Sequence, residues 1–139
     1  MQAQRILIID DDVEVANALS SLLATAGHRS MTAYSGPAGL SIAESYRPDI
    51  VFLDLAMPGM NGYEVAPAIR KMAGMENVLI IALTGSGDKN TRSEALRAGC
   101  DAHLTKPPQL RAIVGLIEAA SSTLGQAHHS TPDDTPNAT

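Results

Sequence analysis

Apolar residues are distributed along this chain in two alternating ways. Short dense runs occur at Ile6-Leu7-Ile8-Ile9, at Ile50-Val51-Phe52-Leu53 and from Val78 to Leu83. They are too brief for helices and have no polar side, the pattern of a strand covered on both faces by helices. Between them the apolar positions recur at helical spacing. Val15, Ala16, Leu19, Leu22 and Leu23 predict a helix over 13–26, stopped by Gly27. A second helix is expected from Ser35-Gly36-Pro37 through Tyr46, with Pro37 in its first turn, where a missing N–H costs little, and Pro48 beyond its end. A third spans about 63–72, with Pro67 either early in it or at a kink. A polar fourth covers 90–98 before Gly99, and a fifth covers 109–124 with Leu110, Ile113, Val114 and Ile117 on one face. Weaker strands are expected at 29–33 and 102–105.

Strands alternating with helices read as repeated βαβ units, hence a parallel sheet with helices on both faces. Five of each in about 120 residues fit an α/β, flavodoxin-like doubly wound (βα)5 domain with strand order 2-1-3-4-5. The domain is expected over 1–124. Residues 125–139 (GQAHHSTPDDTPNAT) lack periodicity, contain two prolines and read as a disordered polar tail. Ligands of such sheets lie beyond the carboxyl ends of the strands. The groups delivered there are Asp10, Asp11, Asp54, Thr84 and Lys106.

Composition narrows the classes. The chain has 139 residues, 45% of them apolar and 18% charged, which suits one domain with one core and excludes a disordered chain. One Phe, three Tyr and no Trp leave no stacking platform for bases. A net charge of −5 argues against a phosphate-backbone surface, so no nucleic-acid partner is expected. The single cysteine, Cys100, points to a reducing compartment, and the absence of a leader or a long apolar run to a cytoplasmic protein off the membrane. Asp133 and Asp134 lie in the tail, and without them the charge is −3. That figure equals the three carboxylates Asp10, Asp11 and Asp54.

Three carboxylates in one cleft repel. Two unit charges about 4 Å apart cost about 4 kcal/mol at an effective dielectric of about 20. A proton or a cation must offset this, and Mg²⁺, which takes one or two carboxylates, several waters and a phosphate oxygen, suits the set, with Mn²⁺ as a substitute. Phosphoryl transfer needs such open coordination positions, and an aspartate can be its nucleophile.

These residues resemble the response-regulator receiver domain of two-component signalling. The resemblance covers residues 5–124. It rests on Ile6-Leu7-Ile8-Ile9-Asp10-Asp11-Asp12, on the stretch from Pro48 to Gly62 that contains Asp54-Leu55-Ala56-Met57-Pro58-Gly59, on Ala82-Leu83-Thr84, and on Leu104-Thr105-Lys106-Pro107. It implies that Asp54 accepts a phosphoryl group from a sensor histidine kinase or a phosphotransfer protein. Asp10, Asp11, Asp54 and the backbone carbonyl of Ala56 would hold Mg²⁺. Thr84, Gly85 and Lys106 would receive the phosphoryl oxygens, and Thr84 and His103 would form the switch. A partner would read the face made by the fourth helix, fifth strand and fifth helix, or the phosphate would be relayed onward. The chain would be a regulatory phosphoacceptor with no output domain, a monomer or a phosphorylation-dependent dimer, catalysing only its own modification.

The chain departs from the family at four positions. His103 stands where Tyr or Phe is usual, so its inward position needs a hydrogen-bond partner, and imidazole changes charge near neutrality. Gly85 replaces a small residue, often Ala, and keeps access open. Ala56 and Ser86 lie where side chains often influence water attack, and a methyl group cannot position water, so slow self-dephosphorylation is expected. Other residues have plainer readings. Asp12 is a helix N-cap with Glu14 or Val15 in the first turn, Tyr63 and Glu64 begin a helix and face solvent, Met57 and Met60 pack the loop, Cys100 packs after Gly99, and His128-His129 is a doublet in the tail. A haloacid-dehalogenase type phosphatase needs Asp-x-Asp-x-Thr/Val, which Glu14 breaks. A flavin or nucleotide binder needs Gly or hydroxyl donors after the first strand, where only carboxylates stand.

Overall fold

The apolar runs lie side by side in one sheet. A computed structural model describes residues 4–85 and 87–129 of the chain. The elements follow in strict alternation: β1 (Arg5–Ile9), α1 (Val13–Thr25), β2 (Arg29–Ala33), α2 (Gly36–Tyr46), β3 (Ile50–Asp54), α3 (Gly62–Arg70), β4 (Leu79–Thr84), α4 (Lys89–Ala98), β5 (Ala102–Thr105) and α5 (Leu110–His129). The strands are ordered β2-β1-β3-β4-β5 and every pair is parallel. This is the doubly wound arrangement expected from the alternation.

The pleat divides each inner strand between two cores. Leu7, Ile9, Val51, Leu53, Ile80 and Ala82 face one way, against Ala43 of α2, Val65 and Ile69 of α3 and Ala95 of α4. Ile6, Ile8, Ile50, Phe52, Ile81 and Leu83 face the other, against Leu19 and Leu23 of α1 and Ile113 and Ile117 of α5. Both faces of β1 and β3 are therefore dry, which is why their sequences show no polar alternation. β2, at one edge, alternates exposed and covered residues. Among the described residues no helix is long and apolar enough to cross a membrane.

Local chemistry sets the helix starts. Asp12 caps α1 by accepting from Glu14 and Val15 N–H at 3.1 and 3.2 Å, as expected. Asn61 and Glu64 form a reciprocal capping box at the head of α3. Three features differ from expectation. α3 begins at Gly62 and ends at Arg70, and Pro67 lies in its interior, so the Tyr63 carbonyl receives no helical N–H there. α5 runs to His129 rather than stopping at Leu124. Gly125 costs about 1 kcal/mol relative to Ala but does not end a helix flanked by Leu and Gln. The helix thus takes in the first five residues of the expected tail, and 130–139 lie outside the described residues. Tyr63 is half-buried against the core rather than facing solvent.

Gly62 shapes the sheet edge where the carboxylates stand. A Cβ there would stand 2.5 Å from the Asp54 carbonyl oxygen and 2.8 Å from Leu55 Cα. Only glycine lets the loop after β3 fold back this tightly on the strand end.

Candidate functional site

Asp10, Asp11, Asp54, Thr84 and Lys106 stand at the carboxyl edge of the sheet, placed there by continuation of the backbone ladders, and His103 lies within β5 opposite Ala82. Asp10 N–H donates to the Ala33 carbonyl at 3.0 Å, Leu55 N–H to Leu83 at 3.2 Å, and Lys106 N–H to Thr84 at 2.7 Å. These bonds hold the residues just past β1, β3 and β5 in the register of the strands. Asp10 is fully buried and Asp54 is 3% exposed, whereas Asp11 is open to solvent. One carboxylate oxygen from each of the three lies within 4.8 Å of the others.

Lys106 sits between the two buried acids, with Nζ 2.9 Å from Asp10 Oδ2 and 3.2 Å from Asp54 Oδ1. Asp10 Oδ1 accepts the Asp12 N–H at 2.9 Å, and Asp54 Oδ1 accepts the Ala56 N–H at 3.2 Å. Asp10 Oδ2 is shielded from solvent, and the Lys106 ammonium is the charged group facing it. Burial, a side-chain contact with Asp11 and the charge of Asp10 together push the Asp54 carboxyl up to about 6. The Ala56 N–H and the Lys106 charge only partly oppose them. Burial works against the Lys106 ammonium, but Asp10 and Asp54 outweigh it and raise its proton affinity.

One ammonium thus contacts two of three clustered acids. Two buried carboxylates that share a single ammonium, a neighbouring carboxylate open to water and a spacing under 4.8 Å suit a hard divalent cation that keeps part of its water shell. Asp10, Asp11 and Asp54 are the side chains able to hold it.

Thr84 ends β4, buried, with its Oγ1 2.9 Å from Nε2 of the half-buried His103. His103 thus has Thr84 as a hydrogen-bond partner. Gly85 is exposed, and a Cβ built on it meets nothing within 4 Å. Ser86 lies outside the described residues, as do the side chains of His128 and His129.

Residues 6–118 match the family described as the response regulator receiver domain. The chain belongs to that family. Members of the family are phosphorylation-controlled signalling switches of two-component systems. This receiver domain is 37% identical over 114 residues to the transcriptional regulatory protein AfsQ1 of Streptomyces coelicolor, covering 82% of this chain and 49% of that protein. It is 34% identical over 116 residues to the DNA-binding response regulator MtrA of Mycobacterium leprae, covering 84% and 50%. The chain thus spans about half the length of these curated relatives. Among solved structures it resembles the chemotaxis protein CheY4 of Vibrio cholerae, with a TM-score of 0.80, 25% identity, and coverage of 86% of this chain and 99% of that one.

Two features of the receiver site escape inspection of the sequence. One is that Lys106 lies closer to Asp10 than to Asp54. The other is the Thr84–His103 bond. A strand register would have suggested it, because Ala82 is opposite His103 and Thr84 opposite Thr105, placing Thr84 and His103 diagonally on one face. Met57 and Met60 pack against the core under the loop, Cys100 is buried, and burial pushes its thiol up to about 11. Beside Lys106, the outer side of α1 and the turn after β5 form an apolar groove of about 470 Å³ lined by Val15, Ala18, Leu22, Pro107 and Pro108.

Proposed function

We propose that Asp54 is the phosphoacceptor of this receiver domain and that a phosphohistidine on a kinase or phosphotransfer protein is its donor. The observation that carries the reading is the gathering of Asp10, Asp11 and Asp54 within 4.8 Å, with Lys106 bridging the two buried acids. A carboxylate oxygen of Asp54 attacks the phosphorus, the phosphorus–nitrogen bond breaks, and the imidazole of the donor leaves with the bonding pair. Asp10, Asp11, Asp54 and the Ala56 carbonyl hold Mg²⁺, which supplies charge neutralisation for the phosphoryl oxygens. Lys106 moves from carboxylate to phosphoryl oxygen, a charge-assisted contact. The Thr84 hydroxyl donates to another oxygen, and Gly85 leaves that side open. Ala56, which has no group to orient water, favours slow hydrolysis of the acyl phosphate.

The donor docks along the groove formed by Val15, Ala18, Leu22 and the two prolines, because this is apolar surface adjoining Lys106. The result is transmitted through Thr84 and His103 to the surface of α4, β5 and α5. That surface acts on a separate protein or on a further domain, as the regulatory names of the half-matched relatives suggest.

Intact-mass measurement after acetyl phosphate with Mg²⁺ tests the acceptor. The wild-type chain gains one phosphoryl group, and Asp54→Asn gains none. An unmodified wild type, or a modified Asp54→Asn chain, overturns the assignment.

A further inference from the structure

The bond between Thr84 Oγ1 and His103 Nε2 lies at the end of β4, whose Thr84 carbonyl accepts the Lys106 N–H. His103 shares its sheet face with Ala82 and Thr84, beneath α4; Arg111 and Glu118 belong to α5 on the opposite face. β4 contributes no ionisable side chain, and those of α4 are Lys89, Arg92, Glu94 and Arg97. The ionisable neighbours along the chain are engaged elsewhere: Asp101 with Arg70 and the Ile80 N–H, and Lys106 with Asp10 and Asp54.

A hydroxyl has one proton, and each imidazole nitrogen is either donor or acceptor, so this bond has two polarities. With a lone pair on Nε2, the Thr84 proton points at the imidazole. With a proton on Nε2, His103 donates to Oγ1, and the Thr84 proton can turn toward an oxygen arriving at Asp54. Only the second polarity satisfies an acceptor on that side. It is the polarity of the imidazolium and of the Nε2–H tautomer.

We infer that His103 is a positioning residue that sets the direction of the Thr84 hydroxyl, so that phosphorylation of Asp54 and protonation of His103 favour one another. The inference rests on Asp54 being the phosphoacceptor. Before phosphorylation, a neutral imidazole gains a hydrogen bond as acceptor from Thr84. After phosphorylation that option is lost, and proton affinity at His103 rises. Linkage is reciprocal, so the phosphorylated form is favoured further as pH falls through the imidazole range. The receiver would then combine two inputs, a phosphoryl donor and the local pH.

Nitrogen-15 NMR of the imidazoles of the full chain with Mg²⁺, with and without beryllofluoride as phosphoryl mimic, tests this across about pH 5 to 8. His103→Gln identifies the His103 signals. Beryllofluoride is expected to raise the His103 midpoint by about half a pH unit, roughly threefold in proton affinity, with the neutral ring protonated on Nε2. In Thr84→Ala the rise is expected to disappear. A midpoint that does not move, or that moves equally in Thr84→Ala, overturns the inference, since the second result is through-space charge alone. Labelling of the same wild-type sample with acetyl phosphate separates the two failures. A labelled chain with an unmoved midpoint overturns only the role of His103; an unlabelled chain overturns the acceptor and the linkage together.

Discussion

Asp10 and Asp54 stand at the ends of β1 and β3, where the apolar residues of both strands are buried on both faces, whereas Thr84 ends β4, and His103 and Lys106 lie on and just past the edge strand β5, whose four residues are all at least partly exposed. The acidic half is built into the best-packed part of the molecule. Moving either carboxylate would disturb two cores at once, so its geometry is fixed before anything binds. The other half is a chain of donors that can exchange partners: an ammonium between two acids and a hydroxyl bonded to an imidazole. Rigid anions suit capture of a cation, and exchangeable donors suit recognition of a group that arrives and leaves. On the proposed function, the difference gives binding to one half and response to the other.

The largest expected effect breaks the acidic half. Asp10→Ala removes a buried carboxylate and leaves Lys106 with Asp54 alone, and Mg²⁺ affinity measured by calorimetry is expected to fall about a hundredfold, about 2.7 kcal/mol. Thr84→Val, on the responsive half, is expected to leave Mg²⁺ affinity within about twofold. Equal losses in the two variants would erase the division.

A smaller effect tests the electrostatic state of the same half. The Asp54 carboxyl is raised from 3.8 to about 6, so between those values the folded chain holds a proton that the unfolded chain releases. That contribution is present below about pH 3.8 and is lost as pH rises through about 6. At neutral pH without divalent cations the fold therefore carries a buried anion beside Asp10. Asp54→Asn should gain about 1–2 kcal/mol of stability at pH 7.5, and the gain should vanish near pH 4. Added Mg²⁺ should stabilise wild type and reverse the ranking. Thermal unfolding at the two pH values, with and without Mg²⁺, reads all three; a destabilised Asp54→Asn at pH 7.5 would refute the strain.

The same division governs how much of the molecule is legible in its sequence. Asp10, Asp11 and Asp54 stand out because each closes an apolar run, and a carboxylate at the end of a dry strand carries a desolvation cost that a bound cation offsets. Thr84 also closes an apolar run, Lys106 follows the short fifth strand, and the alternation of runs and helical periods gives the order of all ten elements. The Thr84–His103 bond does not, because it depends on how β4 and β5 are aligned and on which way two side chains turn. The burial of Tyr63 depends likewise on packing against the core, which helical periodicity on a short segment does not reveal. The end of α5 is hidden for a different reason: polar residues after Leu124 suggest a stop, but a lone Gly125 is too weak a breaker to enforce one. Local pattern specifies elements and their ends, and partnerships across elements need the register.

Asp12 supplies the finest test, because it continues the acidic run without belonging to the acidic half. Its carboxylate is turned away to the Glu14 and Val15 N–H groups, where it satisfies orphan donors of α1 and complements the positive end of the helix. The Asp12 backbone serves the site, since its N–H orients Asp10 Oδ1, but that contact survives any side-chain change. Asp12→Ala is therefore expected to cost about 1 kcal/mol of stability, the usual worth of an N-cap, while Mg²⁺ affinity stays within about twofold. Asp12→Asn, which keeps an accepting oxygen, should recover most of the loss. Denaturant unfolding and calorimetry on the two variants decide the matter. A Mg²⁺ affinity that drops as far in Asp12→Ala as in Asp10→Ala would mean that the three aspartates act as one charge cluster, and the separation of capping from cation binding would be wrong.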